Sequence, residues 1–417
     1  MQMTQSKRLF FVAYGGGHIN MLLPVVKLAL AKGFDAKLLA MTTAGNVARQ
    51  AGIETVGFAD FYRFASHGAH QYGTALCRDV DANGPVPLEE SIAYHGINFA
   101  ELAADLGDDE AFRLYAEKGR HAFLPEQFFT RLLAELKLDV VIATNSPRSE
   151  QAAILASGKL GIPAVCAVDL FALQEVKWIG QQKYADKICV LNESVRQMFL
   201  CAGRAEHEVV VTGNPAFDAL DSAKARRSGN RLRKDRGWAD ERRTILWASQ
   251  VEPAEHPFDG SSGDPSLPRN VENILRNIVA DSASLRLVVR YHPSEQILFA
   301  PGPNVEFSPA TEPLSALLHA VDLVVVTAST VGLEASIAGK PVISVDMSVF
   351  TPDAPYASMG VSTGVSDLSA LAYAVEKWAS SAPASPLSAV AEPEADKANA
   401  AQNILDVILD LMPSSPE

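Results

Sequence analysis

Asp322-Leu-Val-Val-Val-Thr-Ala-Ser-Thr-Val-Gly-Leu-Glu-Ala-Ser-Ile-Ala-Gly-Lys-Pro-Val-Ile-Ser-Val345 reads as a buried strand, a hydroxyl-rich turn, a short helix and a second buried strand. Val324, Val325 and Val326 form the β-branched run expected of a parallel strand covered on both faces. Helix spacing resumes at Leu333 and Ile337, Gly339 supplies a left-handed cap, and Pro341 blocks continuation. Ser329 and Thr330 stand where the helix begins. A helix N-terminus collects unpaired amides and the positive end of the helix dipole, so the turn suits a phosphate. It suits equally well an ordinary βαβ unit whose hydroxyls only cap the helix.

The chain opens on the same rhythm. Residues 8–13 read as a strand and run into Tyr14-Gly15-Gly16-Gly17-His18. A helix follows with Leu22, Leu23, Val26, Leu28 and Leu30, then a Gly33 cap and a strand over 36–41. A glycine turn at the carboxyl end of a strand is where doubly wound folds bind ligands. The dinucleotide fingerprint fails here, because Asn20 replaces its third glycine and the second strand ends in Thr42-Thr43 rather than an acid. His18 stands after the glycines, so there is no Walker lysine.

At 417 residues the chain has room for two domains, each with its own core. A net charge of −13 argues against nucleic-acid binding, which leaves a basic footprint. Cys77, Cys166, Cys189 and Cys201 form neither a CxxC pair nor a metal-ligand spacing, which fits reduced thiols in a cytoplasm. No apolar run reaches the roughly 18–20 residues that a membrane span needs. His67 and His70 have i, i+3 spacing without an obvious third ligand, so no metal is expected.

Between about 61 and 129 the βα alternation is interrupted by a stretch with helical spacing over 88–106 and 110–120. It reads either as an acceptor-binding insertion or as a structural excursion. Strands resume over 139–144, 163–168, 186–191 and 209–212. A basic cluster, Lys224 to Arg236, reads as a solvated interdomain helix or as a polyanion or membrane patch. The second half brings strands over 244–248 and 285–290, a Pro/Gly/Ser-rich loop over 252–268, and a Pro/Ala/Ser tether over about 381–394. A final helix over 396–411 carries its own apolar stripe and must pack on something. The domains expected are 1–220 with its insertion, 221–395, and a terminal helix and tail over 396–417.

Two successive α/β halves with a terminal helix resemble the GT-B fold of nucleotide-sugar glycosyltransferases. The motifs that carry the resemblance are Gly15-Gly16-Gly17-His18 with Pro24, Val211-Thr212-Gly213-Asn214-Pro215 with Asp218, Arg290-Tyr291-His292-Pro293, and Ser329-Thr330-Val331-Gly332-Leu333-Glu334 with Gly339-Lys340-Pro341. The superfamily includes peptidoglycan N-acetylglucosaminyltransferases, CDP-glycerol glycerophosphotransferases and UDP-N-acetylglucosamine 2-epimerases. The resemblance implies two Rossmann-like domains facing across a cleft, the donor in the second and the acceptor on the first. It implies donor contacts at Gly16, Gly17, Arg290, His292, Ser329, Thr330, the amides of Val331 and Gly332, and Glu334 at a ribose. It further implies His18 as general base, with Asp169 holding its tautomer. Pro24 follows His18 by six residues rather than the three of the family pattern. A donor-contacting or cleft-closing His18 is therefore the other reading, with Asp79, Asp81 and Glu90 as rival bases.

The function implied is transfer of a sugar or sugar-phosphate from a nucleotide sugar or related phosphorylated donor to a cell-envelope glycan or lipid-linked glycan, without a metal or other cofactor. It places the enzyme in the cytoplasm, with peripheral contact at the inner membrane face compatible. A 2-epimerase is the alternative, although Thr330-Val331-Gly332-Leu333-Glu334-Ala335 stands where epimerases carry Gly-Gly-x-x-Glu-Glu. A non-catalytic nucleotide-sugar-binding subunit is a third reading.

Overall fold

Aliphatic runs too apolar to face water on either side become the central strands of two parallel sheets. The computed structural model describes residues 6–220, 222–238, 241–257, 260–381 and 399–412. They fall into two units, residues 1–216 with 398–417, and residues 217–397. The tether over 381–394, apart from Ser381, and the expected start of the last helix at 396 lie outside the described residues.

The first unit contains β1 (Arg8–Ala13), β2 (Asp35–Ala40), β3 (Val140–Thr144), β4 (Ala164–Ala167), β5 (Lys187–Val190) and β6 (Val209–Val211), in the order β2-β1-β3-β4-β5-β6. β1 pairs in parallel with both β2 and β3, so the order in which strands are added reverses beside it. Leu9, Phe11, Ile142 and Val165 are fully buried under the helix Gly17–Ala31. The last helix, Ala400–Asp410, joins that same core through Ile404, Leu405 and Ile408. Asn399 caps it by accepting from the Gln402 amide at 2.9 Å, and the Asn403 side chain donates to the Thr212 carbonyl at 3.1 Å.

The interrupting stretch has an aromatic core of its own. Phe58 stacks on Phe128 with centroids 5.4 Å apart, and Tyr94 meets Phe58 edge-on at 5.5 Å. The helix Leu88–Leu106 supplies Tyr94 and Phe99, and the helix Asp108–Lys118 joins through Phe112, 4.5 Å from Phe99, and Tyr115, 5.3 Å from Phe123. Glu90 accepts from the amides of Phe58 at 2.7 Å and Ala59 at 3.1 Å, so it caps a turn, and Asp81 accepts from the Asn83 amide at 2.9 Å.

The second unit contains β7 (Arg243–Ala248), β8 (Leu285–Arg290), β9 (Val305–Phe307), β10 (Leu323–Val326), β11 (Val342–Val345) and β12 (Thr363–Val365), ordered β12-β11-β10-β7-β8-β9. Counted from its own first strand, this is the doubly wound order 3-2-1-4-5-6, with the switch between β7 and β10. β9 and β12 are three-residue edge strands, too short for a sequence period to reveal. The basic cluster forms the helix Ala223–Asp235. Several of its cations, with Arg236 just beyond, are spent within the unit: Arg233 on Asp322 at 3.1 Å, Arg236 on Glu312 at 2.7 Å, and Arg231 on Asp235 at 3.6 Å. Glu252 anchors the long loop by accepting from the Val349 amide at 2.8 Å and the Ser348 hydroxyl at 2.6 Å. Among the described residues no helix is long and apolar enough to cross a membrane.

Candidate active-site clusters

In the first unit the glycine turn leaves β1 at the switch point. Gly16 has φ 70° and ψ −135°, a conformation that costs a residue with a Cβ, and this reversal lets Gly17 start the helix. Gly17 opens beside the Asp169 carboxylate, with Oδ2 3.3 Å from where a Cβ would stand. His18 and Asp169 are brought together, Nδ1 to Oδ2 3.8 Å, with side chains 23% and 19% exposed. That separation allows attraction between charges but exceeds a hydrogen bond. The nearer partner of His18 Nδ1 is the Thr144 hydroxyl, at 2.8 Å.

Asp169 is held by its backbone. Its amide donates to Asn145 Oδ1 at 3.0 Å, and its carbonyl accepts from the Asn214 side chain at 2.5 Å. Glu175 adds a second carboxylate to this neighbourhood. Burial raises its pKa, and the Asp169 charge raises it further. Behind Thr144 stands Glu150, wholly buried, whose Oε1 accepts from the Thr144 hydroxyl at 2.7 Å and from the Tyr14 amide at 3.0 Å. Burial raises its pKa, while His18 and these donors lower it. Sequence reasoning missed Glu150 because it sits in the first turn of Ser149–Leu160, where an acid reads as an exposed dipole partner. Arg148, just before that helix, has φ 74°, and its guanidinium lies 4.9 Å over the Tyr14 ring.

In the second unit Ser329 caps the helix Thr330–Ile337, its Oγ accepting from the Val331 amide at 3.4 Å. The Gly332 amide donates to the Ser329 carbonyl at 2.9 Å, and the buried Tyr356 hydroxyl donates to that same carbonyl at 2.9 Å. The amides of Val331 and Gly332 are thus locally engaged. Thr330 is exposed at the first helical position. A Cβ on Gly332 would lie 2.7 Å from Val326 Cγ2 and 3.2 Å from the Tyr356 ring, so glycine lets the helix sit close on β10. Gly339 takes φ 72° after the helix.

Glu334 is half-buried; burial raises its pKa and Arg290 lowers it. The Arg290 guanidinium is occupied by the loop after β9. Nη1 donates to Ser308 Oγ at 3.1 Å and to the carbonyls of Pro309 at 3.2 Å and Glu312 at 3.0 Å, and Nη2 donates to Ala310 at 3.1 Å. His292 accepts from the Ser294 amide on Nδ1 at 3.1 Å, which leaves its proton on Nε2 as an outward donor. Its own amide donates to Glu295 at 2.8 Å.

No family model and no curated protein matches the chain. Solved structures do. The UDP-GlcNAc 2-epimerase of Neisseria meningitidis, bound to UDP-GlcNAc, is 15% identical, with a TM-score of 0.54 over 97% of this chain and 99% of that one. MurG of Acinetobacter baumannii is 15% identical, with a TM-score of 0.52 over 97% and 100%. The UDP-GlcNAc 2-epimerase of Methanocaldococcus jannaschii, in complex with UDP-GlcNAc and UDP, is 12% identical, with a TM-score of 0.51 over 97% and 99%.

The fold is GT-B.

Within each unit of this GT-B chain, a candidate cluster follows the carboxyl ends of strands flanking the switch point. Tyr14–His18 follows β1 and Thr144–Glu150 ends β3 in the first unit; Ser329–Glu334 follows β10 in the second. Open α/β sheets bind ligands at such places, because no crossover helix covers the crevice there.

Proposed function

We propose that this GT-B chain is a glycosyltransferase that moves a sugar or sugar-phosphate from a nucleotide sugar or related phosphorylated donor to a glycan acceptor of the cell envelope, free or lipid-linked. The observation that carries the reading is the half-buried His18 imidazole, set on a glycine turn with the Asp169 carboxylate 3.8 Å away. An imidazole so placed can take the proton of an acceptor hydroxyl, and the carboxylate stabilises the imidazolium that forms. In the second unit the donor's diphosphate is assigned to Ser329, Thr330 and the N-terminus of Thr330–Ile337, and its ribose to Glu334. Val331 and Gly332 shape that turn, and the Nε2–H of His292 is a donor for a phosphate oxygen. Arg290 contributes charge while holding the loop after β9. Gly16 and Gly17 carry His18. The reaction as proposed uses no metal or other cofactor, and its setting is the cytoplasm, at the membrane's inner face for a lipid-linked acceptor.

A second reading, a UDP-GlcNAc 2-epimerase, draws on the likeness to the two epimerases above. Thermal-shift screening against UDP-, CDP-, GDP- and CMP-sugars tests the donor. The matching nucleotide sugar should stabilise the chain by about 2.7 kcal/mol at roughly 100 times its Kd, and silence from all of them would remove the reading. Incubation of the bound donor without acceptor separates the two enzymes, since solvent proton exchange at the sugar C2 belongs to the epimerase. In the transferase, His18→Ala should lower kcat by about 10²–10⁴-fold with donor affinity nearly unchanged.

A further inference from the structure

We infer that Glu150, acting through Thr144, is a positioning residue that holds His18 in the tautomer with its proton on Nδ1 and its lone pair on Nε2. The inference rests on the reading of His18 as the base, and deepens it.

The hydrogen-bond directions decide the tautomer. The Tyr14 amide can only donate, and it donates to Glu150 Oε1 at 3.0 Å, so that oxygen is an acceptor. An ionised carboxylate, or a neutral one with its proton on Oε2, leaves Oε1 with lone pairs only, as the two donors aimed at it require. The Thr144 hydroxyl has one proton, and at 2.7 Å from Oε1 that proton is directed there. Toward His18 Nδ1, 2.8 Å away, the Thr144 oxygen then has only lone pairs to offer, so Nδ1 must donate. Nε2 is left unprotonated in the neutral ring, as a general base requires. Asp169, at 3.8 Å, adds charge without completing this chain of bonds.

The location strengthens the case. A carboxyl group with 0% exposure is costly to bury, and this one is committed to two donors that together position the catalytic turn. Glu150 thereby fixes the backbone at the end of β1 and the ring four residues later. Thr144, also fully buried, ends β3 beside it.

The test reads the tautomer directly, without substrate. In full-length protein with ¹⁵N-labelled histidine, a long-range ¹H–¹⁵N correlation spectrum identifies the protonated ring nitrogen, and His18→Gln assigns the His18 signals. In the parent, the neutral form of His18 should carry its proton on Nδ1. Thr144→Val, close in shape, should lose that pattern, and Thr144→Ser should restore it. Glu150→Gln should retain it, since an amide oxygen can accept from the same two donors. If a donor and acceptor are in hand, kcat of Thr144→Val should fall by at least about tenfold with KM little changed. A parent ring protonated on Nε2, or a Thr144→Val spectrum identical to the parent's, overturns the inference. Failure of the base reading shows separately, as unchanged turnover in His18→Gln.

Discussion

Glu334 lies under two opposed influences: burial disfavours its charge, the nearby Arg290 favours it, and burial is the larger. Its folded pKa therefore lies above the ordinary value of 4.5. A carboxyl shifted this way contributes stability that is fully present below the unfolded pKa and is lost as pH rises through the folded one. The Tm of Glu334→Gln should thus gain on that of the parent as pH rises from about 4 to about 8, and a constant difference across that range would refute the sign. The same carboxylate is the group proposed to meet a ribose, so the variant should also bind donor more weakly. His18 and Asp169 were legible as residues because glycine turns and strand ends announce themselves in sequence. Their partners were not. Thr144 reads as the last residue of a strand and Glu150 as a helix-start acid, and only the approach of β1 to β3 makes Thr144 a contact of His18 and Glu150 the partner of Thr144 and Tyr14.

At the scale of elements, the helix Thr330–Ile337 depends on two side-chain choices. Ser329→Ala removes the cap and should cost about 0.5–2 kcal/mol in urea unfolding. Gly332→Ala places a methyl 2.7 Å from Val326 and should cost about 1–3 kcal/mol through overpacking, although the residue has better helix propensity. A neutral or stabilising Gly332→Ala would mean that β10 and the helix are less closely packed than described. The strand–turn–helix–strand pattern was readable because its period changes at Ser329, and Gly339 and Pro341 mark its end. The edge strands β9 and β12 were not, since Val305-Glu306-Phe307 and Thr363-Gly364-Val365 acquire strand geometry only by pairing with β8 and β11. The basic helix Ala223–Asp235 shows the same limit from the other side. Its charge was plain, yet which cations remain unspent depends on Asp322, Glu306 and Glu312, far away in sequence.

At the scale of the molecule, the last helix returns to the first unit after the chain has built the second. Ile404, Leu405 and Ile408 bury completely in the core that contains Leu9, Phe11 and Val26. Ile408→Ala should cost about 2–5 kcal/mol, and calorimetry should show the loss in the transition of the first unit, leaving that of the second in place. A shift confined to the second unit's transition would contradict this assignment. The apolar stripe of this helix was visible in sequence, but a stripe states only that something must cover it.

The residues by themselves determined the α/β alternation, the two turns that could receive a ligand, and the expectation of a GT-B architecture. The first two are local quantities, set by period, propensity and the chemistry of Gly, Pro, Ser and Thr at helix ends, whereas the GT-B expectation came from the resemblance of four motifs to a known family. Tertiary structure alone decided which side chains meet. It placed Glu150 and Thr144 behind His18, gave Arg290 to the loop after β9, engaged Glu90 as a turn cap, and returned residues 400–410 to the first core. The physical reason is that hydrogen-bond direction and burial belong to pairs of distant residues, and no window along one chain contains both members.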